Sequence, residues 1–254
     1  MKTWGGVGEA YEASYSSLCE GTANALLRAL GRGSGRSLLD VGAGTGRLAA
    51  RFSSAGWSVT AAEPEASMRQ VAARKFPDLD VVDEALPELT FPDRSYDAVV
   101  ANFVLNHVAD PRAAAAELLR VSKHASAATI WSSSPSWFWL DVCERAGLRP
   151  ATGERLAPEA DFERTRDGFA RMLNEAGWPD VDTTALEWTW RAEPEALWAS
   201  AEGGVAAAGM FYRQLGPAER ERFRRAFDDV CAERAVGGLV PLPHAAVLAV
   251  SRRA

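Results

Sequence analysis

The sequence predicts an α/β protein with a seven-stranded, mostly parallel sheet and helices on both of its faces. Short apolar runs alternate with helix-length stretches between Ser37 and Ala101, the pattern of successive β-α-β units. Each run is brief and nearly continuous in apolar residues, as strands covered on both faces are. The first run passes through a glycine-rich turn into a helix-forming stretch, a junction that brings backbone N–H groups against a ligand.

In chain order, a helix is expected over 15–30, and the glycines of 31–35 form a joint before strand one. Strands are expected at 37–41, 58–63, 79–83, 96–101 and 127–131, five in parallel. Helices are expected at 46–55, 65–75 and 112–122, the last with Asp110 as N-cap and Pro111 as its first residue. Residues 132–135 read as a loop, followed by a mixed segment to Leu156 and a helix from Phe162 to Ala176. Leu186, Trp188 and Trp190 alternate within 180–191, giving strand six, and 245–251 gives strand seven. Two helical stretches, 193–215 and 217–235, are inserted between them, with Phe223, Phe227, Val230 and Cys231 on one apolar stripe of the second.

Composition narrows the function. A chain of 254 residues holds roughly one to two domains, and 47% hydrophobic with 24% charged residues is ordinary globular composition, which excludes a disordered or fibrous chain. The net charge of −6 lacks the positive field that nucleic acid or anionic lipid requires. Cys19, Cys143 and Cys231 show no C-x-x-C spacing, so neither a disulfide framework nor a metal site is expected. With no signal-like N-terminus and no long apolar run, the expected location is the cytoplasm.

The chemistry concentrates at the turn Asp40-Val41-Gly42-Ala43-Gly44-Thr45-Gly46. Its spacing is G-x-G-x-G, with Arg47 where a dinucleotide fingerprint carries its third glycine. Asp40 stands two residues before the first glycine, where a carboxylate favours a cationic ligand and opposes phosphate. Nucleotide polyphosphates, and with them a nicotinamide oxidoreductase, are disfavoured.

Three further motifs follow in order: Ala62-Glu63-Pro64 through Met68, Phe91-Pro92-Asp93-Arg94-Ser95-Tyr96-Asp97, and Asn102-Phe103-Val104-Leu105-Asn106-His107-Val108. Together with the glycine turn they make the sequence resemble class I S-adenosylmethionine-dependent methyltransferases, in their small-molecule and ubiquinone-biosynthesis-type branch. The resemblance covers most of the chain. It implies one Rossmann-like domain over 1–254, with a helical cap at 1–33, a cofactor half at 34–131 and a substrate half at 132–254. It also implies that strand seven runs antiparallel and that residues 193–240 form a helical lid over the donor.

Carried over by motif, the resemblance implies that Gly42, Ala43 and Gly44 pass beneath the methionine moiety, with Asp40 near its ammonium group. Glu63 would hold the ribose, a paired contact that also suits NAD and so does not discriminate the two. Pro64 and Leu86 would flank adenine, and Met68 would pad it. Its amino group would go to an acid within 83–86, where Asp83 and Glu84 both qualify and Ala85 completes the segment, because Pro87-Glu88-Leu89-Thr90 adds residues before Phe91. Asn102 would offer its backbone carbonyl to the ammonium, and Tyr11 would cap the carboxylate.

His107 is a candidate general base, since imidazole titrates near neutrality; the competing readings are a histidine bonded within its loop and a reaction with no dedicated catalytic residue. Seven of nine tryptophans fall between Trp131 and Trp198, so Trp131 and Trp137 are candidate acceptor-pocket rings beside the alternative of core packing. His244 is a candidate rim residue, against an exposed loop histidine. The expected reaction is methyl transfer from S-adenosylmethionine to oxygen or nitrogen of a small molecule by in-line displacement, leaving S-adenosylhomocysteine. A non-methylating, pericyclase-like or binding protein is the runner-up. No nucleic-acid, membrane or metal partner is expected, and the assembly is expected to be a monomer or homodimer.

Overall fold

Strands β1 (Ser37–Val41), β2 (Ser58–Ala62), β3 (Asp80–Val82), β4 (Tyr96–Asn102), β5 (Ser122–Ser133), β6 (Asp182–Ala192) and β7 (Val240–Arg252) form one sheet in the order β3-β2-β1-β4-β5-β7-β6. The computed structural model describes residues 4–133, 136–149 and 156–253. β1 to β5 pair in parallel, as the sequence predicts, and β7 runs antiparallel, as the resemblance implies, and lies between β5 and β6. The order turns outward in opposite directions from β1 and β4, so a crevice opens beyond their carboxyl ends.

Alternation along the strands divides the core. Leu38, Ala98 and Val100 pack on one face with α3 (Ala23–Leu30) and α4 (Arg47–Ser54), while Leu39, Val99 and Ala101 pack on the other with α6 (Pro111–Val121) and α8 (Arg166–Glu175). A third cluster joins α1 (Gly8–Ala13) and α2 (Tyr15–Cys19) to α7 (Ser136–Arg145), α9 (Pro194–Glu202), α10 (Ala206–Gln214) and α11 (Pro217–Arg234). Phe223, Phe227, Val230 and Cys231 are buried in it. Asp110 caps α6 as expected, its side chain accepting the N–H groups of Arg112 and Ala113 at 3.0 Å.

The departures have local causes. The helix expected over 15–30 is three pieces, α2, a 3-10 turn Glu20–Thr22 and α3, because the Cys19 carbonyl accepts the Asn102 amide and the Thr22 hydroxyl, both at 3.1 Å. Gly21 sits against the Trp188 indole where a Cβ would collide. The stretch 193–215 breaks into α9 and α10 at Gly203 and Gly204, with Gly203 packed on Ala10 of α1.

β5 and β7 each begin five residues earlier than expected, at Ser122 and Val240, since long cross-strand partners extend polar and proline-containing segments that show no apolar run. Pro241 and Pro243 are tolerated because β5 stops pairing with β7 at Ala245, leaving that stretch bonded on one side only. Ser132 and Ser133 belong to β5 rather than a loop; Ser134, Pro135 and 150–155 lie outside the described residues. The mixed segment after them contains α7, and α8 starts at Arg166, set by Thr165 accepting the Gly168 N–H at 3.1 Å.

Candidate functional site

A cavity of about 910 Å³ occupies the crevice beyond β1, β2 and β4, near the top of the ~300–1,000 Å³ usual for one small-molecule site. α1, α2, α7, α10 and α11 contribute its remaining walls.

One end is built on the glycine turn. Gly42 and Gly44 have φ of 69° and 57°, a region that L side chains rarely adopt. A Cβ on Gly42 would sit 2.5 Å from Val104 Cγ2, and one on Gly44 would sit 3.4 Å from the Tyr11 ring. The turn thus passes close under both α1 and the loop after β4. Gly44 donates its N–H to Glu63 Oε2 at 2.8 Å, and Glu65 donates its N–H to Glu63 Oε1 at 2.9 Å. Burial pushes the Glu63 carboxyl above its ordinary range despite these two donors.

Asp40 is 1% exposed, and neither of its carboxylate oxygens has a hydrogen-bond partner among the described residues. Burial, then the nearby Glu63, pushes it from 3.8 up to about 8. It borders a recess of about 30 Å³ shared with Ala43, Tyr11, Cys19 and Asn102. Burial raises the Tyr11 hydroxyl well above its ordinary value. The Asn102 side chain is engaged in the scaffold, accepting from Thr22 at 2.8 Å and Thr129 at 2.6 Å.

Pro64, Met68, Ala85 and Leu86 line the cavity beside Glu63. Of the two acids that qualify by sequence, Glu84 borders the cavity and also accepts the Thr90 N–H at 3.0 Å. Asp83 does not: it turns outward to Arg69 at 2.8 Å with its side chain 67% exposed.

The rest of the lining is largely aromatic and apolar. His107 lines the cavity, its ring meeting Trp4 edge-on at 5.3 Å. Trp131 lines it too, stacked on Phe103 at 3.8 Å and 5°. Trp137 does not reach the cavity: it lies on another face of α7, under the Arg234 guanidinium at 5.2 Å. Two residues along a helix rotate by about 200°, so Trp139 lines the cavity instead, donating to the Tyr15 hydroxyl at 2.8 Å.

His244 is neither a rim residue nor an exposed loop histidine. The early start of β7 pairs it with Trp188 inside the sheet, where it is 3% exposed among the rings of Trp131, Trp188 and Trp190.

Sequence reasoning missed Phe103, Trp139 and Tyr15 as lining residues. Reading α7 as a helix would have found Trp139, because Phe138, Trp139, Val142 and Cys143 form its buried stripe. No helix among the described residues is long and apolar enough to cross a membrane, and no group of three or more His, Cys, Asp or Glu among them is placed to hold a metal.

A family model described as a methyltransferase domain matches residues 39–129, the segment from β1 to β5. A demethylmenaquinone methyltransferase of Renibacterium salmoninarum is 30% identical over 167 residues, covering 60% of this chain and 70% of the relative. Among solved structures, a phosphoethanolamine N-methyltransferase of Haemonchus contortus in complex with S-adenosylhomocysteine has a TM-score of 0.53 at 14% identity, covering 91% of this chain and 52% of that one. The cyclase SpnF has a TM-score of 0.52 at 20% identity, covering 94% and 83%; both likenesses show the fold. The matching family model, the menaquinone-type relative and the strand order of this sheet agree, and the chain belongs to the class I S-adenosylmethionine-dependent methyltransferases.

Proposed function

We propose that this enzyme methylates a neutral, largely apolar small molecule. The observation that carries the reading is the division of its cavity. Among the described residues the charged side chains that line it, Glu63, Glu65 and Glu84, all belong to the β2 and β3 side, with the buried Asp40 at the adjoining recess. The rest of the lining includes Trp131, Trp139, Phe211, Phe223 and Leu140, apolar groups that pair no phosphate, carboxylate or ammonium.

The donor fits the charged end on its chemistry. A buried, unpartnered carboxylate suits a cationic amino-acid head, and a carboxylate held by two N–H groups suits a ribose diol. Asp40 would take the ammonium together with the Asn102 carbonyl, Glu63 the ribose, and Tyr11 the donor's carboxylate. Gly42, Ala43 and Gly44 would run beneath the methionine part. Pro64, Met68, Ala85 and Leu86 would enclose adenine, with Glu84 the acid in place to meet its amino group.

Bound there, S-adenosylmethionine would supply a methyl group activated on a sulfonium: an acceptor oxygen or nitrogen would bond to the methyl carbon in line as the S–CH3 bond breaks and the neutral thioether leaves. The chain's own contribution is alignment in a dry chamber. His107 would remove the acceptor's proton. The relative's name, demethylmenaquinone methyltransferase, supports a ring-bearing acceptor and admits a ring carbon as the methylated atom. We read residues 1–254 as one functional unit, with 1–33 as cap and 193–240 as lid.

Calorimetric titration with S-adenosylhomocysteine, then incubation with S-adenosylmethionine and a pool of neutral phenols and amines, tests the reading by mass spectrometry. Tight binding and a one-methyl mass gain are expected. No heat with S-adenosylhomocysteine alongside tight NADH binding, or donor binding without transfer to any neutral acceptor, would overturn it.

A further inference from the structure

Thr129 is 0% exposed within β5, between Ala128 and Ile130, which are buried with it. Valine has the same shape and no hydroxyl to satisfy, so a polar residue at this apolar position is accounted for by its bonds. The Thr129 hydroxyl makes two, both to the end of β4: it accepts the Phe103 N–H at 3.0 Å and donates to Asn102 Oδ1 at 2.6 Å. The Thr129 carbonyl takes the same Phe103 N–H at 3.2 Å.

These bonds hold a bend in the backbone. Phe103 has φ of 59°, a conformation that bulky L residues seldom adopt and that persists only where the surroundings fix it. The peptide joining Asn102 to Phe103 is trans and planar, so its N–H and its carbonyl point in opposite directions. β4 lies between β5 and β1. With the N–H fixed on β5, the Asn102 carbonyl is turned to the β1 side, where Asn102 borders the recess that Asp40, Gly42 and Ala43 also line. Thr129 borders neither this recess nor the main cavity, so it acts on a ligand only through Asn102.

We propose that Thr129 is a positioning residue for donor binding: its hydroxyl aims the Asn102 carbonyl at the ammonium group of S-adenosylmethionine. The proposal rests on the reading of this end of the cavity as the donor site. A carbonyl on a tethered peptide meets the cation already oriented, whereas a loose bend has to be ordered at the moment of binding. The adenosine part of the ligand is held from the ends of β2 and β3 instead, and Thr129 contributes nothing to it.

Calorimetric titration compares S-adenosylhomocysteine with 5′-methylthioadenosine, which keeps the adenosine and the thioether and lacks the amino-acid tail. In Thr129→Val, S-adenosylhomocysteine is expected to bind about fivefold more weakly while 5′-methylthioadenosine stays within about twofold of the parent. Thr129→Ser, which keeps the hydroxyl, retains the parent affinity for both. The valine variant leaves the Phe103 N–H on the carbonyl of residue 129 and Asn102 Oδ1 on Thr22 at 2.8 Å. No buried group there loses its last partner, and binding of 5′-methylthioadenosine reports that the cavity is intact. An undiminished affinity for S-adenosylhomocysteine, an equal loss for the two ligands, or a serine variant that behaves like the valine one overturns the proposal. S-adenosylhomocysteine that fails to bind the parent, or binds it no more tightly than 5′-methylthioadenosine, instead overturns the donor-site reading.

Discussion

The Gly44 N–H and the Glu63 carboxylate meet at 2.8 Å, joining the turn after β1 to the end of β2. One side chain therefore sets the spacing between the two loops that flank the donor end, and its second oxygen takes the Glu65 N–H at 2.9 Å. Glu63→Ala removes the carboxylate and leaves two donors without their partner. Affinity for S-adenosylhomocysteine is expected to fall about 10- to 100-fold by calorimetry. Glu63→Gln, which can still accept both N–H groups, should lose less.

At the proposed donor site, Asp40 would link binding to protons. Below pH 3.8 both folded and unfolded chains hold its proton; between 3.8 and about 8 the unfolded chain ionises while the folded one does not. Stability from this group is therefore lost as pH rises through that window and levels off above it. A cationic ligand beside Asp40 reverses the preference, so S-adenosylmethionine binding at pH 7 should release about one proton. Titrations in two buffers of different ionisation enthalpy read that number directly. Asp40→Asn should release none, bind more weakly and melt higher than the parent at pH 8.

Glu12 ties α1 to the glycine turn and to α4 and α5. Burial alone would raise its carboxyl, yet hydrogen bonds from Arg47, Lys75 and Thr45 bring it down from 4.5 to about 2. The contacts include Arg47 at 2.7 Å and Thr45 at 2.5 Å. A carboxyl lowered in the fold contributes stability that is full above 4.5 and is lost as pH falls toward about 2. Glu12→Gln should lower Tm at pH 7, and the gap to the parent should close as pH approaches 2. Because α1 and α2 carry Tyr11 and Tyr15 over the cavity, S-adenosylhomocysteine should also dissociate faster from this variant in stopped flow.

The half of the chain up to β5 was legible because β1 and β4 bury short, nearly continuous apolar runs and the turns carry glycine, proline or a capping side chain. Asp40, Gly42, Gly44 and Glu63 converge because they sit at fixed offsets from the ends of β1 and β2. The second half was less legible. Val240, Pro241 and Pro243 show no strand pattern of their own and are extended by pairing with Ala192, Arg191 and Thr189. That pairing carried His244 into the sheet, and the unrecognised helix α7 exchanged Trp137 for Trp139 at the cavity. Asp83 and Glu84 differ by one position, and only the loop's path after β3 decides between them.

His244 gives the sharpest test of how that region is built. Both ring nitrogens are buried without a hydrogen-bond partner among the described residues, as is the neighbouring Trp188 Nε1. Burial lowers the imidazole from 6.5 to about 4. Above 6.5 the ring is neutral in folded and unfolded chains alike; as pH falls from 6.5 toward about 4, only the unfolded chain gains the proton, and stability is lost across that window. His244→Phe fills the same aromatic surroundings and removes the two unpaired ring nitrogens, a change of the kind that is neutral or stabilising. Its Tm should therefore match or exceed the parent's at pH 7.5, and the advantage should widen at pH 5. Calorimetric scans at the two pH values measure both. An advantage that shrinks at the lower pH would mean that the imidazole is charged inside the fold, with Trp131, Trp188 and Trp190 holding it as a cation.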